Sequence, residues 1–170
     1  MTSIDVSFLI IRVAFGLSLV AHGLNKVRGT NGLAGTAAWF ASIGMRWPSL
    51  QARVAATTEI VAGIMFAAGL LTSMSAAAIV ALMVVAIVTV HWRVGYFIFL
   101  PNGGWEYCAA IAATASAVSV GGAGSMSLDH LLGASIAGWH GVLAIALGGA
   151  VAGVHLSVSF RPATSREPLS

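Results

Sequence analysis

Apolar residues run along this chain in long blocks, not in the two-residue alternation of half-buried strands or the one-sided stripes of soluble helices. Five blocks stand out, at about residues 4–24, 50–71, 74–92, 105–120 and 136–158. A helix needs roughly 20 predominantly apolar residues to cross the hydrocarbon core of a bilayer, and the blocks approach or reach that length. The pattern predicts an all-α integral membrane helical bundle.

The few polar positions inside the blocks are phased. On the first, a period of 3.6 residues puts Arg12, Gly16, Leu19, Gly23 and Lys26 on one stripe, with His22 one turn before Lys26. On the second, Ala52, Ala55, Glu59, Ala62, Gly63 and Phe66 share a face, which places Glu59 where small residues let another helix approach closely. The third aligns Val80, Val84, Ile87 and His91; the fourth aligns Glu106, Ala109, Ala113 and Ala117, again a face suited to close packing. An unpaired charge at the depth of Arg12 costs about 3 kcal/mol on insertion scales. A structural ion pair between Arg12 and Glu59 on neighbouring helices is therefore expected. In the last block, Gly149-x-x-x-Gly153 reads as a helix-packing pair, and His140 and His155 read as packing or interface residues.

The connections carry most of the remaining chemistry. Residues 25–50 include GTAAWFASIGM, too short to span and expected to lie at the interface or to re-enter partway. The bend TVHWRVGYFIFLPNGGWEY, residues 89–107, brings in His91 and sends out Glu106. Residues 121–135 form a glycine- and serine-rich link in which Asp129 is expected to cap a helix. Residues 161–170 are a polar tail with two prolines and are expected to be disordered. The first block lacks a basic leader and holds Asp5 and Arg12, so it reads as a retained span and not a cleaved signal.

Composition agrees with the pattern: 58% of the 170 residues are hydrophobic and 8% charged, against about 25% charged in soluble domains. The net charge of +3 comes from scattered Lys and Arg with no basic, aromatic-interleaved patch, which excludes a nucleic-acid partner. With five spans, Lys26, Arg28, Arg46, Arg53, Arg93, Arg161 and Arg166 fall on one side of the membrane. The positive-inside rule then predicts a cytoplasmic C-terminus and an N-terminus outside. Cys108 is the sole cysteine, so a disulfide or CxxC pair within the chain is excluded and redox chemistry would depend on a cofactor or a partner.

His22, Lys26, His91 and Glu106 all fall near one membrane face. Such a set suits a quinone head group, whose carbonyls need hydrogen-bond donors and whose reduction takes up protons. These four are the candidate cofactor contacts; no catalytic residue is assigned. A haem on His22, His91 or His155 fits less well, because no sustained pattern of facing histidine pairs exists, and a metal on His91, Glu106 and His22 ranks level with it. No resident metal is expected.

Arg12, HGLNK at 22–26, GTAAWFASIGM at 35–45, TEIVAGIMFAAGLLT at 58–72, VHWRVGYF at 90–97, Glu106 in WEY and GGAGSMSLD at 121–129 follow one another in an ordered series. In this series the chain resembles the DoxX family of small bacterial and archaeal membrane proteins. The resemblance implies a DoxX-like transmembrane domain over residues 1–129 with four transmembrane helices. Residues 130–160 then add a fifth, C-terminal one, followed by the 161–170 tail. It further implies a redox-linked subunit of the bacterial cytoplasmic membrane, contacting quinone or belonging to a membrane oxidoreductase assembly, with lipids and other membrane subunits as partners. A non-catalytic accessory subunit anchoring a respiratory or photosynthetic complex is the alternative. Small-solute transport ranks lower, since neither an inverted repeat nor paired broken helices are present.

Overall fold

The computed structural model describes residues 2–162, and its named elements are all helices. Helix α1 (Ser3–Arg28) starts from a reciprocal cap: Thr2 N–H donates to Asp5 Oδ2 at 2.6 Å and Asp5 N–H donates back to the Thr2 hydroxyl at 3.3 Å. This satisfies donors that the first helical turn leaves free. A short helix, α2 (Gly32–Ser42), follows; its 11 residues rise only about 16 Å, too little to span, as its length predicted. Helix α3 (Pro48–Ala68) opens with proline in its first turn, where the missing N–H costs nothing. A turn with Gly69 and Leu71 at positive φ then reverses the chain into α4 (Thr72–Ala86).

Helix α4 runs on through a π-helical turn, Ile87–His91, closed by a 2.7 Å bond from Trp92 N–H to the Ile87 carbonyl. The bend 92–105 leads to α5 (Glu106–Gly121), a single turn α6 (Leu128–Leu131), and the last helix, α7 (Trp139–Ser159). Among the described residues, four segments are long and apolar enough to cross a membrane: Ser3–Arg28, Pro48–Ala68, Thr72–His91 and Trp139–Ser159. The 16 residues of α5 rise about 24 Å. It lies among these four in the same bundle, packed against α4 and α7.

Small residues set the closest helix approaches. A Cβ on Gly16 would stand 2.5 Å from the Gly63 carbonyl oxygen, so α1 and α3 meet backbone to backbone at this crossing. The buried stripe of α1, Arg12, Gly16, Leu19 and Gly23, is the predicted one. Helix α7 docks through Gly141 against Ser119 of α5 and through Gly148 against Ala77 of α4. The expected Gly149/Gly153 pair does not pack: a Cβ on either would meet nothing within 4 Å. On α5 the buried face is Cys108, Ile111, Ala115, Val118 and Ser119, while Ala113 and Ala117 are exposed. Alanine suits a lipid-facing surface as well as a close contact, so its periodicity did not select the face. Between the helices, Leu19, Phe66, Ile79, Met83, Ile111 and Val118 form the core.

The loops divide into two ends. At one, Arg46 N–H donates to Ser159 O (2.7 Å) and Arg161 N–H donates to Gly44 O (2.9 Å), joining the α2–α3 link to the end of α7. Residues 163–170, most of the tail expected to be disordered, lie outside the described residues. Lys26, Arg28, Arg46, Arg53, Arg93 and Arg161 all gather at this end. At the other end, Gly138 N–H donates to Val120 O (2.7 Å) and Ser125 N–H to Asp5 Oδ1 (2.8 Å).

Candidate functional site

At the cation-rich end a cavity of about 540 Å³ opens between α1, α2 and α3 on one side and α4, α5 and α7 on the other. Most of its wall is apolar, including Leu19, Phe40, Met83, Ile111 and Val151. Its principal polar feature is an ion pair: Lys26 Nζ donates to both carboxylate oxygens of Glu59, each at 2.7 Å. Their side chains are 23% and 8% exposed, so the pair sits at a boundary, with Glu59 the deeper partner. The pairing follows from the helix contact below it. Gly23 lets α1 settle against Ile60 and Glu59, and Lys26, about one turn further on, reaches the carboxylate.

The sequence pointed instead to an Arg12–Glu59 pair, and this does not form. In the antiparallel α1–α3 register, Gly16 faces Gly63 and Gly23 faces Glu59, so Arg12 comes to the level of Gly69. That is ten residues from Glu59 along α3, or about 15 Å. Arg12 is fully buried there and donates through Nη2 to the Met126 carbonyl. Among the described residues its Nε and Nη1 have no hydrogen-bond partner. Asp129, nearby and also buried, accepts from the N–H groups of Leu71 (2.6 Å) and Thr72 (2.8 Å). It does act as a helix cap, as expected, and the helix it caps is α4. Arg12 and Asp129 therefore clamp the 122–131 loop onto the α3–α4 turn, at the opposite end of the bundle from Glu59.

Of the four candidate contacts, three line the cavity. Lys26 is in the ion pair; His22 is exposed, with its ring centroid 6.2 Å from that of Tyr107; His91 closes the π turn and bonds through Nδ1 to the Gly103 carbonyl at 2.8 Å. The π turn inserts one extra residue per turn at this point, a feature frequent at functional sites. Glu106 is not among the lining residues. Its Oε2 accepts from the Ile98 N–H at 3.1 Å and ties the bend to the start of α5. The cavity takes the next two residues, Tyr107 and Cys108, instead.

Four lining residues were missed or read differently in the sequence. Gln51 is buried beside the basic end of α3; Tyr107 shares a 2.8 Å hydroxyl bond with Ser18 of α1; Cys108 is buried; and His155 of α7, expected to be a packing residue, faces the cavity half-buried. A one-residue difference in helix phase separates Glu106 from Tyr107, and no signal in the sequence fixes that phase. His155 lies one turn from the end of its helix, at the depth of the other candidates, and this depth was its available signal. Among the described residues, no group of three or more His, Cys, Asp or Glu side chains is placed to hold a metal ion.

These features define a multi-pass helical membrane protein with a largely apolar cavity that carries a partly buried ion pair at its cationic end. The chain belongs to the DoxX family, whose model matches residues 7–92, from α1 through the π turn. A relative from Bacillus subtilis (strain 168), named Putative oxidoreductase CatD, is 31% identical over 105 residues, which cover 62% of this chain and 72% of that protein. No solved structure matches the chain. The parts of the cavity wall contributed by α5 and α7 lie beyond the stretch that the family model matches.

Proposed function

We propose that this protein is a redox-linked subunit of the bacterial cytoplasmic membrane that holds the head group of an isoprenoid quinone in the cavity at its cationic end. The observation that carries the reading is the joining of a largely apolar chamber of about 540 Å³ to the partly buried Lys26–Glu59 pair. The donor set fits such a group. Apolar walls accept a ring and the first part of a prenyl tail, and Lys26, with Nζ protons beyond the two engaged by Glu59, has one to offer a carbonyl oxygen.

When bound, a quinone supplies a two-electron, two-proton acceptor. The protein's own part is narrower. Glu59 fixes the rotamer of Lys26 and keeps its charge next to the head group. His91, oriented by Gly103 O, and His22 at the rim extend the polar lining of the cavity from the pair towards the aqueous face. Electrons come from a partner subunit, consistent with a relative named as an oxidoreductase and with a single cysteine in this chain. The cationic end faces the cytoplasm and the N-terminus the outside.

Cys108 gives the test, because it is the sole cysteine and lines the cavity. A short-chain quinone should slow its alkylation by a membrane-permeant maleimide several-fold in nanodiscs, whereas added phospholipid should not. Equal alkylation rates with and without quinone would contradict the proposal. In the accessory reading the chain only anchors a larger complex. The exposed apolar side of α7, with Leu143, Leu147 and Val154, would suit such a neighbour, and Cys108 would then be indifferent to quinone.

A further inference from the structure

We infer that His155 of α7 is the second head-group contact of the cavity, donating to the carbonyl that Lys26 does not reach and thereby selecting ligands with two opposed carbonyls. This rests on the quinone reading above and extends it to a residue outside the stretch that the family model matches.

The placement follows from helix packing. Helix α7 packs along α4 and α5 and makes no comparable contact with α1 or α3, yet all of these helices line the one cavity. The cavity therefore separates the α7 wall from the α1–α3 wall. Lys26 and Glu59 stand on the second, and His155 on the first, flanked by apolar Val151 and Ala152. Its backbone carbonyl is engaged by the Ser159 hydroxyl at 2.6 Å, which leaves the imidazole as the polar group that this wall presents. Among the described residues the ring makes no hydrogen bond, unlike that of His91, which is tied to Gly103. A half-buried imidazole on an apolar wall, with no protein partner for its ring among the described residues, keeps a donor available to a ligand in the cavity. A para-quinone has an acceptor at each end of its ring, and a donor on each of two facing walls matches that chemistry.

The test compares two probes bound to the full-length protein in nanodiscs: a short-chain para-quinone, and an analogue of the same size and tail that keeps one carbonyl and lacks the other. Wild type should bind the quinone more tightly. His155→Leu should weaken quinone binding on the order of fivefold to tenfold, the effect of one lost hydrogen bond, and leave the one-carbonyl analogue unchanged. His155→Gln, which keeps a donor, should recover part of the preference and controls for loss of packing. If wild type binds neither probe, the quinone reading itself fails. If wild type binds the quinone and His155→Leu retains the same preference, the assignment of His155 is overturned while the cavity reading stands. Equal weakening for both probes in His155→Leu, without rescue in His155→Gln, would make His155 a packing residue and also overturn it.

Discussion

Charged side chains inside this bundle are held by partners chosen by helix register. Glu59 is 8% exposed and bonded twice to Lys26, so removing one partner leaves a charge without compensation. Lys26→Met or Glu59→Gln should each lower stability by about 2 kcal/mol, reduced from the fully buried range because Lys26 is partly exposed. The double change Lys26→Met/Glu59→Leu should recover most of that loss, since a hydrophobic pair of similar volume replaces the ions. Reversible unfolding in mixed micelles measures all three; a double variant less stable than either single would contradict the account. At the other end, Gly69 has φ 67° and its α-hydrogen faces the Arg12 guanidinium. Gly69→Ala should cost at least about 1 kcal/mol from the left-handed backbone alone, and the same unfolding measurement reads it. The sequence already marked Arg12 and Glu59 as charges that needed partners, because a charge in an apolar run has few ways to be accommodated. It did not contain the α1–α3 register, which follows from where Gly16 and Gly63 meet, and register decided who pairs with whom.

Helices of this protein announce themselves by length and apolarity, and their buried faces less clearly. The α1 stripe was legible because an arginine and two glycines stand out among Leu, Val and Ile. The α5 face was not, since Ala109, Ala113 and Ala117 are equally at home against lipid. Without that face, the difference between Glu106 and its neighbours Tyr107 and Cys108 could not be read, and so one of the candidate site residues fell outside the cavity. The glycines of α7 provide a sharp test of the same point. A Cβ at Gly148 would collide with the backbone of Ala77, while one at Gly149 meets nothing within 4 Å. Gly148→Val should destabilise the fold by about 1–3 kcal/mol through overpacking, and Gly149→Val should stay within about 0.5 kcal/mol. Thermal unfolding of the two variants side by side checks the packing; equal effects would remove Gly148 as the docking point.

At the scale of the whole molecule, the two ends differ in charge and in role. One gathers the exposed cations and the cavity; the other is clamped by Asp5, Arg12 and Asp129. In a Cys108→Ser background, a cysteine placed at Ser135 should react with a membrane-impermeant thiol reagent added outside spheroplasts, and one at Ser42 only after the membrane is opened. The reverse pattern would invert the proposed orientation and put the cavity mouth on the outer side. Whether the cavity holds a quinone by means of the Lys26–Glu59 pair is read by native mass spectrometry of protein released from its own membrane lipids. Wild type is predicted to carry an added mass matching one isoprenoid quinone, and folded Lys26→Met/Glu59→Leu to lose it. Wild type carrying phospholipid alone, or the double variant retaining the quinone mass, would contradict the claim.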